Sequence, residues 1–252
     1  MCLMDAVDYP DQELACSNHD RRNTALRQQI EKAIAQTQQR GWISGRRGGR
    51  SWSLSYTKRF TSLLGAGFLV LLLSPVLLVI AVAIKLTSPG PVFFIQQRTG
   101  FRGRRFGMIK FRTMMVNAEA LKDSVRHLNK HGPESVDFKI DRDPRITSIG
   151  GILRRTSLDE LPNLFNVIWG QMRLVGPRPT SFHVRTYKEH HLGRLGVYPG
   201  ITGLWQVSGR SNVDFDDRVV LDIQYISQQS LWLDLKILLK TPFAVLSAHG
   251  AS

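Results

Sequence analysis

From Phe60 to Ile84 the chain carries no charged residue and is mostly apolar. About 20 apolar helical residues span the hydrocarbon core of a bilayer, so a segment of this length argues for a membrane element over a buried core helix. Two details narrow the choice. Ser74-Pro75 stands at the middle, and both flanks are basic: Arg46, Arg47, Arg50, Lys58 and Arg59 before it, Lys85, Arg98, Arg102, Arg104, Arg105, Lys110 and Arg112 after it. No acid occurs between Glu31 and Glu119. Basic flanks stay on the cytoplasmic side, and a spanning helix normally shows that bias at one end. Proline removes a backbone donor and kinks a helix; in lipid the freed carbonyl needs another partner, which a serine hydroxyl supplies. The arm from Phe60 to Leu73 makes about 21 Å of helix, short of a core of about 30 Å. Two readings stand: a spanning helix with a proline kink, or two arms that dip into the bilayer and return on the same face.

The 252 residues suggest one main domain plus an extension. A net charge of +14 calls for an anionic partner: nucleic acid, acidic lipid headgroups or a phosphorylated substrate. The apolar segment favours the last two, and the near-absence of an aromatic-basic array argues against nucleic acid. Cys2 and Cys16 are the only cysteines. They exclude a disulfide framework and a cysteine-rich zinc site in the body of the chain and fit a reducing compartment. Met1 to Asp20 lacks a basic stretch followed by an apolar run, so no cleaved signal peptide is expected.

Residues 1–57 read as an appendage with an acidic start, a polar helix over Thr24 to Arg40 and a flexible basic linker over Gly45 to Arg50. Beyond the apolar segment, Ser88-Pro89-Gly90-Pro91 is a stiff exit turn. Val92 to Gln97 and Arg105 to Phe111, with Gly100 and Gly103 between them, predict a β-hairpin. Val116 to His131 reads as a polar helix, Asp141 to Pro144 as a loop, and Thr147 to Arg155 and Ser157 to Trp169 as two short helices. Val175 to Thr180 is an extended turn whose prolines flank Arg178. Two helices close the chain, Val213 to Gln229 and Ser230 to Ser247. The last is apolar enough to lie in a membrane interface or to pack on the body.

The sharpest chemical candidate is Arg154-Arg155-Thr156-Ser157-Leu158-Asp159-Glu160-Leu161-Pro162. Adjacent carboxylates serve as nucleophile, general base or ligands for Mg²⁺, a hard cation that shares phosphate oxygens with its protein ligands. Arginines grip phosphate in a bidentate fork. A structural alternative competes: Ser157-x-x-Glu160 is a capping box, and Asp159 in a first helical turn suits the helix dipole. Lys110, Arg154 and Arg178 are candidate phosphate ligands, Arg178 being the least ordinary because prolines fix its backbone. Gln97, Arg98 and Gly100 are weaker, and a basic strand edge near headgroups accounts for them. No Walker-type or dinucleotide glycine loop occurs, no G-x-S-x-G elbow, and no HExxH around His183, His190 and His191, whose expected home is a surface helix.

From Lys58 to about Thr241 the chain resembles the bacterial sugar transferases, the monotopic polyprenyl-phosphate phosphoglycosyl transferases. The motifs occur in order: KR before an apolar segment with a central SP, SPGPVFF, Q-x-R-x-G, KFRTM, DPRIT, LRRTSLDELP, N-V-x-x-G, LVGPRP, PGITG and WQVSGR. The chain departs from the usual pattern at Ser62 (often Asp), at Asn163 (often Gln) and at Gln171-Met172-Arg173 (often Asp-Met-Ser), the last adding a positive charge near the site.

The resemblance implies a mainly α fold with a small β-hairpin, a re-entrant helix broken at Ser74-Pro75, and interfacial helices. Residues 1–57 would be a variable extension, 58–87 the membrane helix, and 88–252 a catalytic domain on the cytoplasmic face of the bacterial inner membrane. It implies that Asp159 attacks the β-phosphorus of a nucleotide diphosphate sugar, of the UDP-sugar type, and releases UMP. Undecaprenyl phosphate then takes the sugar-1-phosphate. Glu160 would partner Asp159 and help to place Mg²⁺, while Lys110, Arg154 and Arg178 bind phosphates. A non-catalytic membrane adaptor and a membrane-tethered nucleic-acid binder are the competing classes; neither would release UMP.

Overall fold

The computed structural model describes residues 52–121, 123–129, 140, 143–208 and 215–247, together with Gln28 and Lys32. The acidic start, both cysteines, the basic linker and nearly all of the expected N-terminal helix lie outside these residues, as do Asp141 and Arg142.

The long apolar segment forms α1 (Tyr56–Thr87). Ser55 caps its start, its hydroxyl accepting the Lys58 N–H at 3.1 Å. The break expected at Ser74-Pro75 does not form: the helix runs through Pro75 without interruption. Proline has no N–H for the carbonyl four residues back, which is Leu71. The Ser74 hydroxyl donates to that same Leu71 carbonyl at 2.8 Å, so the Ser-Pro pair satisfies the acceptor it orphans.

A single stripe of α1 is buried: Lys58, Ser62, Ala66, Ile80 and Ile84. Ala66, with Leu69 and Val70, packs against Leu164, Val167 and Met172. Ile80 and Ile84, with Leu77, pack against Phe111 and Leu153. Each arm is thus held by the same body. The turns between them stand clear, with Leu71 77% and Leu72 60% exposed. This helix is long and apolar enough to cross a membrane.

The base of α1 is fixed by buried charge. Lys58 Nζ lies 3.0 Å from Asp234 Oδ2 and also donates to the Tyr225 hydroxyl. Tyr225 in turn donates to Asp234 Oδ1 at 2.7 Å, and Trp52 Nε1 to Asp234 Oδ2 at 2.8 Å. Removing one member of such a pair leaves a buried charge unanswered.

Strands β1 (Phe93–Thr99) and β2 (Arg105–Phe111) form the antiparallel hairpin, with Phe94 opposite Lys110 and Arg98 opposite Phe106. Arg112 ties its foot to the exit turn by donating to the Ser88 carbonyl and hydroxyl at 2.9 and 2.7 Å. Helices α2 (Ser148–Arg155) and α3 (Asn163–Ile168) follow. A Cβ on Gly150 would collide with the Thr113 carbonyl, so glycine lets α2 approach the end of the hairpin.

The stretch expected as a polar helix, Val116 to His131, is instead a series of turns ending in a 3₁₀ turn at Arg126–Leu128 among its described residues. Two three-residue strands, β3 (Arg173–Val175) and β4 (Gly200–Thr202), pair in parallel. They join the LVGPRP and PGITG segments through close backbone contact at Gly176 and Gly200. A short α4 (Leu204–Val207) leads to α5 (Phe215–Gln228) and α6 (Leu231–Ser247). Their main core gathers Val175, Val197, Val219, Ile223, Tyr225, Ile226 and Ile237. One face of α6 remains exposed at Trp232, Leu235, Leu239 and Phe243.

Candidate active site at the Asp159-Glu160 turn

The expected helix over Ser157 to Trp169 divides. Leu158–Glu160 is a 3₁₀ turn, and α3 starts only after Pro162. The capping box does not form: Ser157 sits in the left-handed region at φ 55°, and its side chain makes no capping hydrogen bond. Glu160 is drawn elsewhere. Its Oε1 accepts from Lys110 Nζ at 2.6 Å and from Arg178 Nη2, and its Oε2 accepts from Arg178 Nη1 at 2.8 Å. Partners 50 and 18 residues distant outweigh the local cap, because charge-assisted bonds in a half-dry site exceed a single neutral capping bond.

Asp159 is buried beside this clamp. Lys110 Nζ approaches its Oδ2 at 3.7 Å, and among the described residues no hydrogen-bond donor reaches the Asp159 carboxylate. Burial pushes its pKa up, which Lys110 only partly opposes. Burial would also raise Glu160, but Arg178 and Lys110 hold it far below the usual carboxylate range. Adjacent carboxylates with environments that push them apart mark different roles.

The predicted phosphate ligands converge. Lys110 and Arg178 meet at Glu160. Arg154 Nε donates to Thr113 Oγ1 at 2.9 Å; burial lowers its pKa, and the nearby Asp159 charge opposes that shift. The Arg178 carbonyl accepts from Arg194 Nη2 at 2.7 Å. Arg194 Nη2 also lies 2.6 Å from the buried Asp222, so the loop between Pro177 and Pro179 has a charged prop.

The clamp needs β2 and α3 in register, and Asn166 supplies that. Wholly buried, it accepts the Ile109 N–H at 3.0 Å and donates to the Gly107 carbonyl at 2.7 Å. Asn166 opens the N-V-x-x-G motif, where nothing local marks it as a site residue; its amide offers a donor and an acceptor to the adjoining strand edge. Asn163, in place of the usual Gln, is also wholly buried, and neither of its amide atoms finds a partner.

Arg173 does not add its charge to the site. Its guanidinium lies 4.0 Å over the Tyr198 ring and donates to the Met172 carbonyl at 3.1 Å. Its charge acts on Arg59 and Lys58 at the start of α1.

His190 is exposed and His191 buried, on the 3₁₀ segment Glu189–Gly196 rather than on a surface α-helix. Both imidazoles face Asp216. His191 Nδ1 accepts the Lys188 N–H at 3.1 Å, which leaves its proton on Nε2. That nitrogen donates to Asp216 and is not free to ligate a metal.

The open lone-pair positions of the two carboxylates decide how they could hold Mg²⁺. A carboxylate offers about four lone-pair positions. Glu160 uses three for Lys110 and Arg178, whereas those of Asp159 are uncommitted. The donor set therefore fits a hard cation held mainly by Asp159, with one remaining position on Glu160.

The family model described as bacterial sugar transferase matches residues 53–248. The galactosyl transferase CpsE of Streptococcus agalactiae serotype III (strain NEM316) is 45% identical over 197 residues, or 77% of this chain and 43% of that protein. The undecaprenyl-phosphate galactose phosphotransferase of Salmonella typhimurium (strain LT2) is 42% identical over 203 residues, covering 79% of this chain and 42% of its own length. The exopolysaccharide production protein ExoY of Rhizobium meliloti (strain 1021) is 40% identical over 197 residues, covering 77% of this chain and 87% of ExoY. The chain thus spans less than half of the first two relatives and most of the third. Since the match runs from the turn before α1 to the end of α6 and takes in every side chain of the clamp, the chain belongs to the bacterial sugar transferase family.

Proposed function

We propose that the protein transfers a sugar-1-phosphate from a UDP-sugar to undecaprenyl phosphate, at the cytoplasmic face of the bacterial inner membrane, as an early step of exopolysaccharide, capsule or related glycan synthesis. One observation carries the reading. Of two adjacent carboxylates, Glu160 is clamped by two cations while Asp159 is buried with its oxygens uncommitted.

In this mechanism an Asp159 oxygen attacks the β-phosphorus. The bond from that phosphorus to the bridging oxygen breaks, and UMP leaves with the electron pair. An aspartyl-phosphosugar remains. An oxygen of undecaprenyl phosphate then attacks the same phosphorus, Asp159 departs as carboxylate, and a polyprenyl diphosphate sugar is formed. Phosphoryl transfer depends mainly on positioning and charge neutralisation. Lys110, Arg154 and Arg178 supply cations at the Asp159 carboxylate, and Glu160 fixes two of them. Mg²⁺, held by Asp159 with help from Glu160, would neutralise diphosphate charge when bound.

A site serving one soluble and one lipid-borne substrate belongs at the membrane surface. The packing of both arms of α1 on one body supports a re-entrant helix, and the exposed apolar face of α6 supports an interfacial one. The names of the Salmonella and Rhizobium relatives support the lipid acceptor and the pathway class. A panel of UDP-sugars with Mg²⁺ and polyprenyl phosphate tests the activity, with Asp159→Asn as the blank. UMP release from at least one sugar by the wild-type chain alone is expected; release by neither, or by both equally, rejects the proposal.

A further inference from the structure

The cations around the site are not equally provided for. Lys110 and Arg178 share Glu160. Arg105 donates to Thr99 Oγ1, Ser181 O and Gln97 O at 2.9, 3.0 and 3.0 Å. Arg154 has Thr113 and the Asp159 charge. Among the described residues Arg98 makes one hydrogen bond, from Nη2 to the Gln96 amide oxygen at 2.5 Å. Its Nε is buried without a partner, and among the described residues no carboxylate lies within ion-pair distance of it.

Burial brings its pKa down to about 10; Arg178 and Arg105 repel its charge, and Glu160 attracts it. A half-buried guanidinium beside two others, its Nε sealed off and with no acid of its own, is costly unless an anion answers it. The hairpin register shows where that anion lies. Side chains alternate along a strand, and cross-strand partners share a face. Because Phe94 pairs with Lys110 and Arg98 with Phe106, Arg98 and Lys110 project from the same face of the hairpin, toward Glu160.

We propose that Arg98 is a further ligand for a phosphate oxyanion in this site, beyond Lys110, Arg154 and Arg178; the assignment of that phosphate to a substrate rests on the transferase reading above. Two sources carry the chemistry, the diphosphate of the donor and the phosphate of the lipid acceptor. The strand leans toward the acceptor. Phe93, Phe94 and Ile95 at its other end are 46%, 50% and 62% exposed, so β1 leads from an apolar surface to the cations over about 10 Å.

The test uses the full chain in detergent, comparing wild type with Arg98→Gln. Losing a charge-assisted contact raises one KM about tenfold or more. A rise for a short-chain polyprenyl phosphate, with UMP formation in its absence unaltered, assigns the anion to the acceptor. A rise in donor KM assigns it to the diphosphate. Both KM values unchanged in a folded variant overturn the proposal. Arg98→Met, which preserves the packing of the aliphatic stem, replaces Arg98→Gln if the latter fails to fold. Inorganic pyrophosphate provides an arm independent of turnover: it raises the Tm of wild type more than that of the variant. Equal rises overturn the anion site. Should the wild-type chain release no UMP from any sugar, the transferase reading falls, while the pyrophosphate comparison still decides whether Arg98 binds the anion.

Discussion

Adjacent carboxylates in one turn should respond to neutralisation in opposite ways. Glu160→Gln removes a carboxylate that accepts three charge-assisted bonds, two from Arg178 and one from Lys110. Breaking a buried ion pair from one side costs about 3–5 kcal/mol. Here the Glu160, Lys110 and Arg178 side chains keep 17%, 14% and 25% exposure, so water takes back part of the loss and about 2–3 kcal/mol is expected. For a domain of this size each kcal/mol moves Tm by about 2–4 °C, which gives a fall of about 4–12 °C.

Asp159→Asn loses no hydrogen bond. Burial raises the Asp159 pKa above its ordinary value, so folding disfavours its ionised form and the charge is destabilising above that pKa. Its Tm should hold or rise slightly, while turnover disappears. The assay is thermal unfolding of both variants in one detergent at one scan rate. Equal losses of Tm, or an unchanged Glu160→Gln, would refute the division of labour between the two groups.

Three other expectations follow from the structure. Lys58→Ala leaves Asp234 buried without its cation and should cost about 3–5 kcal/mol, whereas a paired Lys58→Met/Asp234→Leu change recovers most of the loss; Tm measurements separate the two. In the absence of Mg²⁺ the Asp159 carboxyl should titrate above an ordinary aspartate, because burial raises its pKa; Lys110→Met should move it higher still, and a metal-free NMR titration that places it in or below the usual aspartate range contradicts the assignment. Thr57→Cys and Thr87→Cys should both react with an impermeant thiol reagent from the cytoplasmic face in a cysteine-free background, and labelling from opposite faces would reject re-entrance.

The elements set by local pattern were legible in the chain. Hydropathy marks α1 to within a few residues, and the strand formers around Gly100 and Gly103 give β1 and β2 nearly to the residue. What escaped depends on distant partners. Ser157-x-x-Glu160 is a capping box locally, yet Lys110 and Arg178 take the glutamate, and Ser157 turns left-handed. Strands β3 and β4 have three residues each in glycine- and proline-rich surroundings, too short to show a period of two. Val116 to His131 sets Ala118, Leu121, Val125 and Leu128 at helical spacing, yet its described residues stay in turns that bury Ala118 and Val125 without a helix. For the site, Lys110, Arg154 and Arg178 were legible as charges in motifs. The need of Arg98 for an anion shows only when the partners of every neighbouring cation are counted.

The central claim is that Asp159 carries the sugar phosphate between two substrates. Its most direct test is a rapid-mixing experiment with Mg²⁺ and a UDP-sugar labelled in the β-phosphate, with no lipid acceptor present. A burst of UMP is expected, at most one per enzyme molecule. Label on the peptide containing Asp159 should match it and be discharged when polyprenyl phosphate is added. UMP formed only when the acceptor is present, with no label on the protein, would contradict the account.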